Sequence, residues 1–202
     1  MDVHQEGIIS RYLNRRLSRP LVGLLAKTPV TPNQVSLASF AIALASLGLF
    51  LAGYNLWAGL AAQASSIADG VDGELARRKN MATPFGGFFD AILDRYSDVA
   101  ILAGLTYWAL TFETKVASEI VVIVGLLAII GSLILSYSRA RAEASLGIIF
   151  HGLALTLISR DARLLLIMIG AMLGQAVATL ALLAMVTNSV VIWRLVISRE
   201  QS

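Results

Sequence analysis

The sequence predicts an all-α integral membrane protein of about six transmembrane helices preceded by an N-terminal amphipathic helix in the bilayer interface. Three observations predict it. The 202 residues have a mean hydropathy of +0.75 and are only 14% charged, against about 25% in a soluble domain. The apolar residues fall in long runs, among them Val35 to Leu51, Val99 to Leu110 and Ile120 to Leu135, and runs nearing ~20 residues are membrane-span candidates. The arginines gather in a few connecting segments instead of spreading along the chain.

Element by element, residues 5–26 read as the interfacial helix. Ile8, Ile9, Tyr12, Leu13, Leu17, Leu21, Leu24 and Leu25 recur at helical spacing, interleaved with Arg11, Arg15, Arg16 and Arg19. The first stretch is polar and arginine-rich, so no cleavable signal peptide is expected. Thr28-Pro29-Val30-Thr31-Pro32-Asn33 breaks this helix, because each proline biases its predecessor away from helical angles. Spans follow at 34–53, 56–79, 85–110, 117–143, 160–175 and 177–197, so that residues 34–197 form the bundle of a single membrane domain covering 1–202. The turn near Gly174-Gln175 divides the last two.

Charge sets the expected orientation. Arg11, Arg15, Arg16, Arg19 and Lys27 precede the first span; Arg77, Arg78 and Lys79 follow the second. Arg139, Arg141, Arg160 and Arg163 flank the loop after the fourth, and Arg199 lies near the end. The alternate loops are nearly bare. The positive-inside rule therefore puts both termini and the basic loops in the cytoplasm of a multi-pass cell-membrane protein. Arginines so placed face cytosol and anionic headgroups, and nucleic acid is not an expected partner. Trp57, Trp108 and Trp193 fall near span ends, as interfacial anchors do. Cysteine is absent, which excludes disulfides, thiolate metal sites and cysteine nucleophiles.

The chemistry lies in Ser65-Ser66-Ile67-Ala68-Asp69-Gly70-Val71-Asp72-Gly73-Glu74-Leu75-Ala76-Arg77, continued by Gly86, Asp90, Asp94 and Asp98. Asp69 and Asp72 are three apart, and Asp90 and Asp94 four apart, so each pair shares one helical face. The short 80–84 connection makes the two helices antiparallel neighbours, with the four carboxylates facing each other at one depth. Carboxylates near a bilayer are costly and together repel, and a hard divalent cation removes that repulsion. All-oxygen ligation selects Mg²⁺, Mn²⁺ or Ca²⁺ over zinc, and Mg²⁺ is commonly shared with substrate phosphates. Gly73 and Gly86 would let a nucleotide approach the backbone, and Arg77, one turn beyond Gly73, can neutralise phosphate oxygens. Asp98 and Glu74 read as solvent-edge or ion-pairing residues. A salt-bridge cluster explains the four spaced aspartates poorly, given their cost. A cation or proton pathway is another reading, opposed by the lack of acidic residues in 120–142. A membrane scaffold is a third, for which no metal cluster is needed.

Written as Asp69-x2-Asp72-Gly73-x2-Ala76-Arg77-x8-Gly86-x3-Asp90-x3-Asp94, the segment resembles the CDP-alcohol phosphotransferase signature at every fixed position. The resemblance implies a transferase that releases CMP as an acceptor hydroxyl attacks the phosphorus bearing the donor alcohol. It implies Asp69, Asp72, Asp90 and Asp94 as ligands of Mg²⁺ or Mn²⁺, two ions in all, with Asp94 also the general base. Gly73, Arg77, Thr83 and Gly86 look like contacts to the CDP portion, as do Pro32 and Asn33 within Thr31-Pro32-Asn33-Gln34.

The stretch Ser136-Tyr137-Ser138-Arg139-Ala140-Arg141-Ala142-Glu143 resembles that of members whose acceptor is inositol phosphate. It implies Ser136, Arg139 and Arg160 as the acceptor-phosphate pocket, with Arg163, Arg194 or Arg199 as further candidates. Ile9-Ser10-Arg11-Tyr12-Leu13-Asn14-Arg15-Arg16, with Ala62-Gln63-Ala64-Ser65-Ser66 and Leu93-Asp94-Arg95-Tyr96-Ser97-Asp98, looks most like di-myo-inositol phosphate phosphate synthases, which join CDP-inositol to inositol phosphate. Phosphatidylinositol-phosphate and archaetidylinositol-phosphate synthases, with CDP-lipid donors, are the rival. Many synthases of the first kind carry a cytidylyltransferase domain upstream; none is seen in these residues, so an isolated module or part of a longer protein is expected. A homodimer is the family expectation. Gly170-x3-Gly174 suits close helix packing, either within the chain or at a dimer seam.

Overall fold

In the computed structural model, residues 14–113, 115–150 and 158–200 are described. They form seven helices and no strand: α1 Arg15–Leu25, α2 Pro32–Leu51, α3 Asn55–Arg78, α4 Pro84–Phe112, α5 Ser118–Leu146, α6 Arg160–Met172 and α7 Ala176–Glu200. The last six coincide with the six stretches read from the sequence to within three residues at every end. Among them, α2, α5 and α7 are long and apolar enough to cross a membrane by length and composition. Helices α3 and α4 carry the aspartates. Helix α6 has 13 residues, or about 20 Å at 1.5 Å per residue.

Local chemistry fixes the helix ends. Thr31 and Gln34 form a reciprocal capping box ahead of α2, with Pro32 in the first turn. Thr83 caps α4 by accepting from the Gly86 N–H at 3.0 Å. Ser159 caps α6 through the Ala162 N–H, and Gly174, at φ +64°, makes the left-handed turn between α6 and α7.

Successive helices from α2 onward alternate between two ends of the bundle. At one end Lys79 Nζ donates to the carbonyls of Thr28 and Val30 at 2.6 and 2.7 Å, tying the α1–α2 turn to the end of α3. At the other end Asn55 donates to the Ala171 carbonyl at 2.9 Å, and Glu113 accepts from the Val177 N–H at 2.8 Å.

The main apolar core draws on α2 to α7, with Phe50, Ile101, Leu105, Leu164, Ile167 and Leu180 fully enclosed. A smaller cluster of Val22, Val35, Val71 and Leu75 joins α1, α2 and α3. Outward, Ile120, Ile123, Leu126, Leu127, Ile130 and Ile134 of α5 are exposed, the arrangement a helix adopts against hydrocarbon. Small residues set the closest approaches. A Cβ on Gly170 would lie 1.8 Å from Thr179 Oγ1, and one on Gly131 2.1 Å from Thr187 Oγ1. Gly170 is thus occupied within the chain, and Gly174 serves the turn.

Two expectations are revised, the close contact of α3 with α4 and the place of Trp108. Helices α3 and α4 are consecutive and antiparallel but touch only sparsely, because α2 packs along both. The interfacial helix begins, among described residues, at Arg15; Ile8, Ile9, Arg11, Tyr12 and Leu13 lie outside them. Its face of Asn14, Ser18 and Val22 is buried against the bundle while Leu21 and Leu24 point outward, so its leucines, and not its arginines alone, are available to lipid. Trp57 and Trp193 are exposed as interfacial anchors should be, but Trp108 is buried and stacks on Phe112 at 5.5 Å.

Candidate metal and active site

Helix α2, wedged between α3 and α4, brings the end of α3 and the start of α4 to one level. There Asp69, Asp72 and Asp90 each offer one carboxylate oxygen, and these atoms all lie within 4.8 Å of one another. Three oxygens at that separation with no cation between them repel strongly, since solvent screens little in a partly buried site. The donor set is all carboxylate, which fits a hard divalent ion and not a soft one. Asp72 is buried and accepts the Ser36 hydroxyl proton, a short bond from the first turns of α2. That bond holds one Asp72 oxygen on the α2 side. No motif singles out Ser36, although a serine in the opening turns of an apolar helix seeks a polar partner.

Asp94 stands outside this trio, one turn further along α4. Its Oδ1 is 2.9 Å from Arg160 Nη1, and the same nitrogen is 2.7 Å from Asp69 Oδ2. Arg160 thus bridges Asp94 to Asp69, placing the fourth aspartate beside the trio. Arg160 Nε also donates to Asp98 Oδ1 at 3.1 Å, and Arg163 Nη2 donates to Asp98 Oδ2 at 2.9 Å. Asp98 is 4% exposed; it is an interior ion-pair partner and not a solvent-edge residue. Buried ion pairs of this kind hold orientation more than they add stability. Arg160 Nη2 is buried and has no hydrogen-bond partner among the described residues, leaving donor capacity on a side chain paired with Asp94.

The remaining candidates divide. Thr83, Gly86 and Asn33 are brought together: a Cβ on Gly86 would meet Thr83 Oγ1 at 3.1 Å and Asn33 Oδ1 at 3.3 Å. Pro32 is buried at the opening of α2, one turn before Ser36. Gly73 lies on α3 beside the exposed Arg77, whose Nη1 is 3.6 Å from where its Cβ would be. Glu74 is half-buried. Ser136 donates to the Ser132 carbonyl at 3.2 Å and Arg139 is exposed; neither belongs to the described ion-pair network around Asp94 and Asp98. Arg194 is buried, donates to the Leu135 carbonyl and Ser138, and lies over the Phe150 ring at 5.1 Å, which leaves it committed to packing α7 on α5. Lys79, read from the sequence only as a loop charge, clamps the turn that leads to Pro32 and Asn33.

Comparison with known proteins matches this arrangement to relatives. Over 193 residues the chain is 42% identical to a bifunctional IPC transferase and DIPP synthase of Rubrobacter xylanophilus, spanning 94% of this chain but 42% of that protein. It is 36% identical over 166 residues to a phosphatidylinositol phosphate synthase of Mycobacteroides abscessus, covering 82% of this chain and 72% of the other. The crystal structure of Mycobacterium tuberculosis phosphatidylinositol phosphate synthase with CDP-DAG bound superposes with a TM-score of 0.75 at 28% identity, covering 89% and 92% of the two chains. The same mycobacterial enzyme is known in complex with manganese and citrate, with a TM-score of 0.71 at 25% identity. Residues 29–199 match the family model, and the chain belongs to the CDP-alcohol phosphatidyltransferase family.

Proposed function

We propose that the chain transfers a substituted phosphoryl group from a CDP-activated alcohol to the hydroxyl of a phosphorylated polyol, releasing CMP. The preferred pair is CDP-inositol with inositol phosphate, giving di-myo-inositol phosphate phosphate. The observation that carries this reading is the Asp69–Asp72–Asp90 trio with Arg160 beside it, unspent donor included.

Asp69, Asp72 and Asp90 would hold Mg²⁺ or Mn²⁺, with Asp94 contributing to a second ion. Bound there, the cation offsets the pyrophosphate charge and the charge left on departing CMP. Thr83, Gly86, Asn33 and Pro32 would border the cytidine on one side, and Gly73 and Arg77 the phosphates on the other. Asp94 takes the acceptor hydroxyl proton as the acceptor oxygen bonds to the β-phosphorus. The bond from that phosphorus to the oxygen of CMP breaks. A phosphate held by Arg160 sits beside Asp94, because Arg160 Nη1 is 2.9 Å from it; a small polyol so anchored presents a hydroxyl to that base. Arg163, Ser136 and Arg139 would complete the acceptor side.

The 42% identity to the Rubrobacter protein supports a CDP-inositol donor. The chain spans less than half of that protein's length. The CDP-DAG bound to the mycobacterial structure favours the second reading, a CDP-lipid donor. We read six spans with both termini and the site on the cytoplasmic face of the cell membrane, and a homodimer, as the family resemblance suggests. Purified protein incubated with Mg²⁺, inositol phosphate and each CDP donor in turn should release CMP with CDP-inositol. Release with CDP-diacylglycerol alone transfers the assignment to the lipid synthases, and release with neither refutes both.

A further inference from the structure

Helix α1 makes polar as well as apolar contacts with the bundle. Asn14, immediately before α1 and 3% exposed, accepts a hydrogen bond from Gln63 Nε2 at 3.0 Å and donates from Nδ2 to Ser66 Oγ at 3.0 Å. Ser66, itself 1% exposed, gives its one hydroxyl proton to Asp161 Oδ1 at 2.7 Å. Every donor in this chain points the same way, from Gln63 through Asn14 and Ser66 to the Asp161 carboxylate. Gln63 Oε1 itself is buried without a partner among the described residues; the three bonds of this relay fix the relative positions of the four side chains they join.

Its end point lies next to the site. Asp161 follows Arg160 in the first turn of α6, and Ser66 lies three residues before Asp69 on α3, so Ser66 and Asp69 share a helical face. Two ties therefore run in parallel between α6 and that face: Asp161 to Ser66, and Arg160 to Asp69 at 2.7 Å. The first fixes the rotation of α6 about its axis. The second depends on that rotation, because turning α6 would swing Arg160 away from Asp69 and Asp94.

We propose that Asn14, Ser66 and Asp161 are positioning residues that set Arg160 for the acceptor's phosphate, making α1 part of the acceptor site and not only a membrane contact. This rests on the reading of Arg160 given above. The full chain, purified and supplied with Mg²⁺, CDP-inositol and varied inositol phosphate, tests it. Arg160→Ala serves as reference and should raise the acceptor KM. Ser66→Ala should raise the same KM on the order of tenfold, the scale of one lost charge-assisted bond, with donor KM unaltered. Asn14→Ala should give a smaller rise, and Ser66→Thr, which keeps the hydroxyl, should recover most of the loss. Ser66→Ala added to Arg160→Ala should have no further effect on acceptor KM.

A rise with Arg160→Ala but none with Ser66→Ala overturns the positioning role. So does an equal loss toward donor and acceptor, or a Ser66→Ala effect that adds in full to Arg160→Ala. An unchanged acceptor KM in Arg160→Ala refutes the reading of Arg160 itself, and the relay falls with it.

Discussion

The two ends of the bundle use polar residues in opposite ways. At the end formed by the α2–α3, α4–α5 and α6–α7 turns, two polar side chains meet backbone needs: Asn55 on the Ala171 carbonyl, Glu113 on the first turn of α7. Small residues pack there without slack, as at Gly59 against Ala171 and Gly170 against Thr179. At the other end Asp69, Asp72, Asp90, Asp94 and Asp98 crowd the region reached by Arg160, Arg163 and Arg95. Like charges face one another, and a buried guanidinium nitrogen lacks a hydrogen-bond partner among the described residues. Among the described residues one end is largely satisfied by the protein itself, Trp108 Nε1 being an exception, and the other holds the unpaired charge that ligands can meet. Stability and chemistry are thereby separated along one axis, the usual division where an active site retains unfavourable contacts.

Substitutions at the two ends should therefore fail in different ways. The largest effect is expected at Asp94: Asp94→Asn should lower CMP release about 10²- to 10⁴-fold, the range for a lost general base, while binding of a CDP donor persists. Equal loss of donor binding would make Asp94 a ligand first. Next, Arg160→Ala should raise acceptor KM about 10- to 100-fold, matching bonds to a charged group, with a smaller change for the donor. Ser36→Ala, which frees Asp72, should weaken divalent-ion affinity about tenfold, as loss of a residue orienting a ligand does. Smallest in activity but plain in melting temperature, Gly170→Leu should destabilise by about 1–3 kcal/mol through overpacking and leave the acceptor KM of the folded fraction unchanged. Conversely Asp90→Asn, which removes one repelling charge, should raise the melting temperature in EDTA while lowering turnover. A drop in both would erase the contrast between the ends.

Much of this division was legible in the chain. The apolar runs and the Pro29–Pro32 break located α2 to α7, and the three- and four-residue spacings of the aspartates predicted their convergence. Partners separated by long stretches of sequence were not legible. Nothing in the neighbourhood of Asp98 announces that Arg160 and Arg163, more than sixty residues on, bury it, or that Arg160 joins Asp94 to Asp69. The wedge of α2 between α3 and α4 was hidden too, because a short connection argues for adjacency and says nothing of what packs between. Asn14, Gln63 and Ser66 carried the resemblance to one group of synthases, yet only the three-dimensional arrangement shows that they touch.

The central claim is that Asp69, Asp72 and Asp90 form a divalent-cation site. Mn²⁺ titration of the purified chain, followed by electron paramagnetic resonance, tests it most directly. Wild-type protein should take up Mn²⁺, and Asp72→Asn should lose that binding, while Glu74→Gln, two residues away on the same helix, should retain it. Unaltered uptake by Asp72→Asn, or equal loss in Glu74→Gln, would contradict the claim.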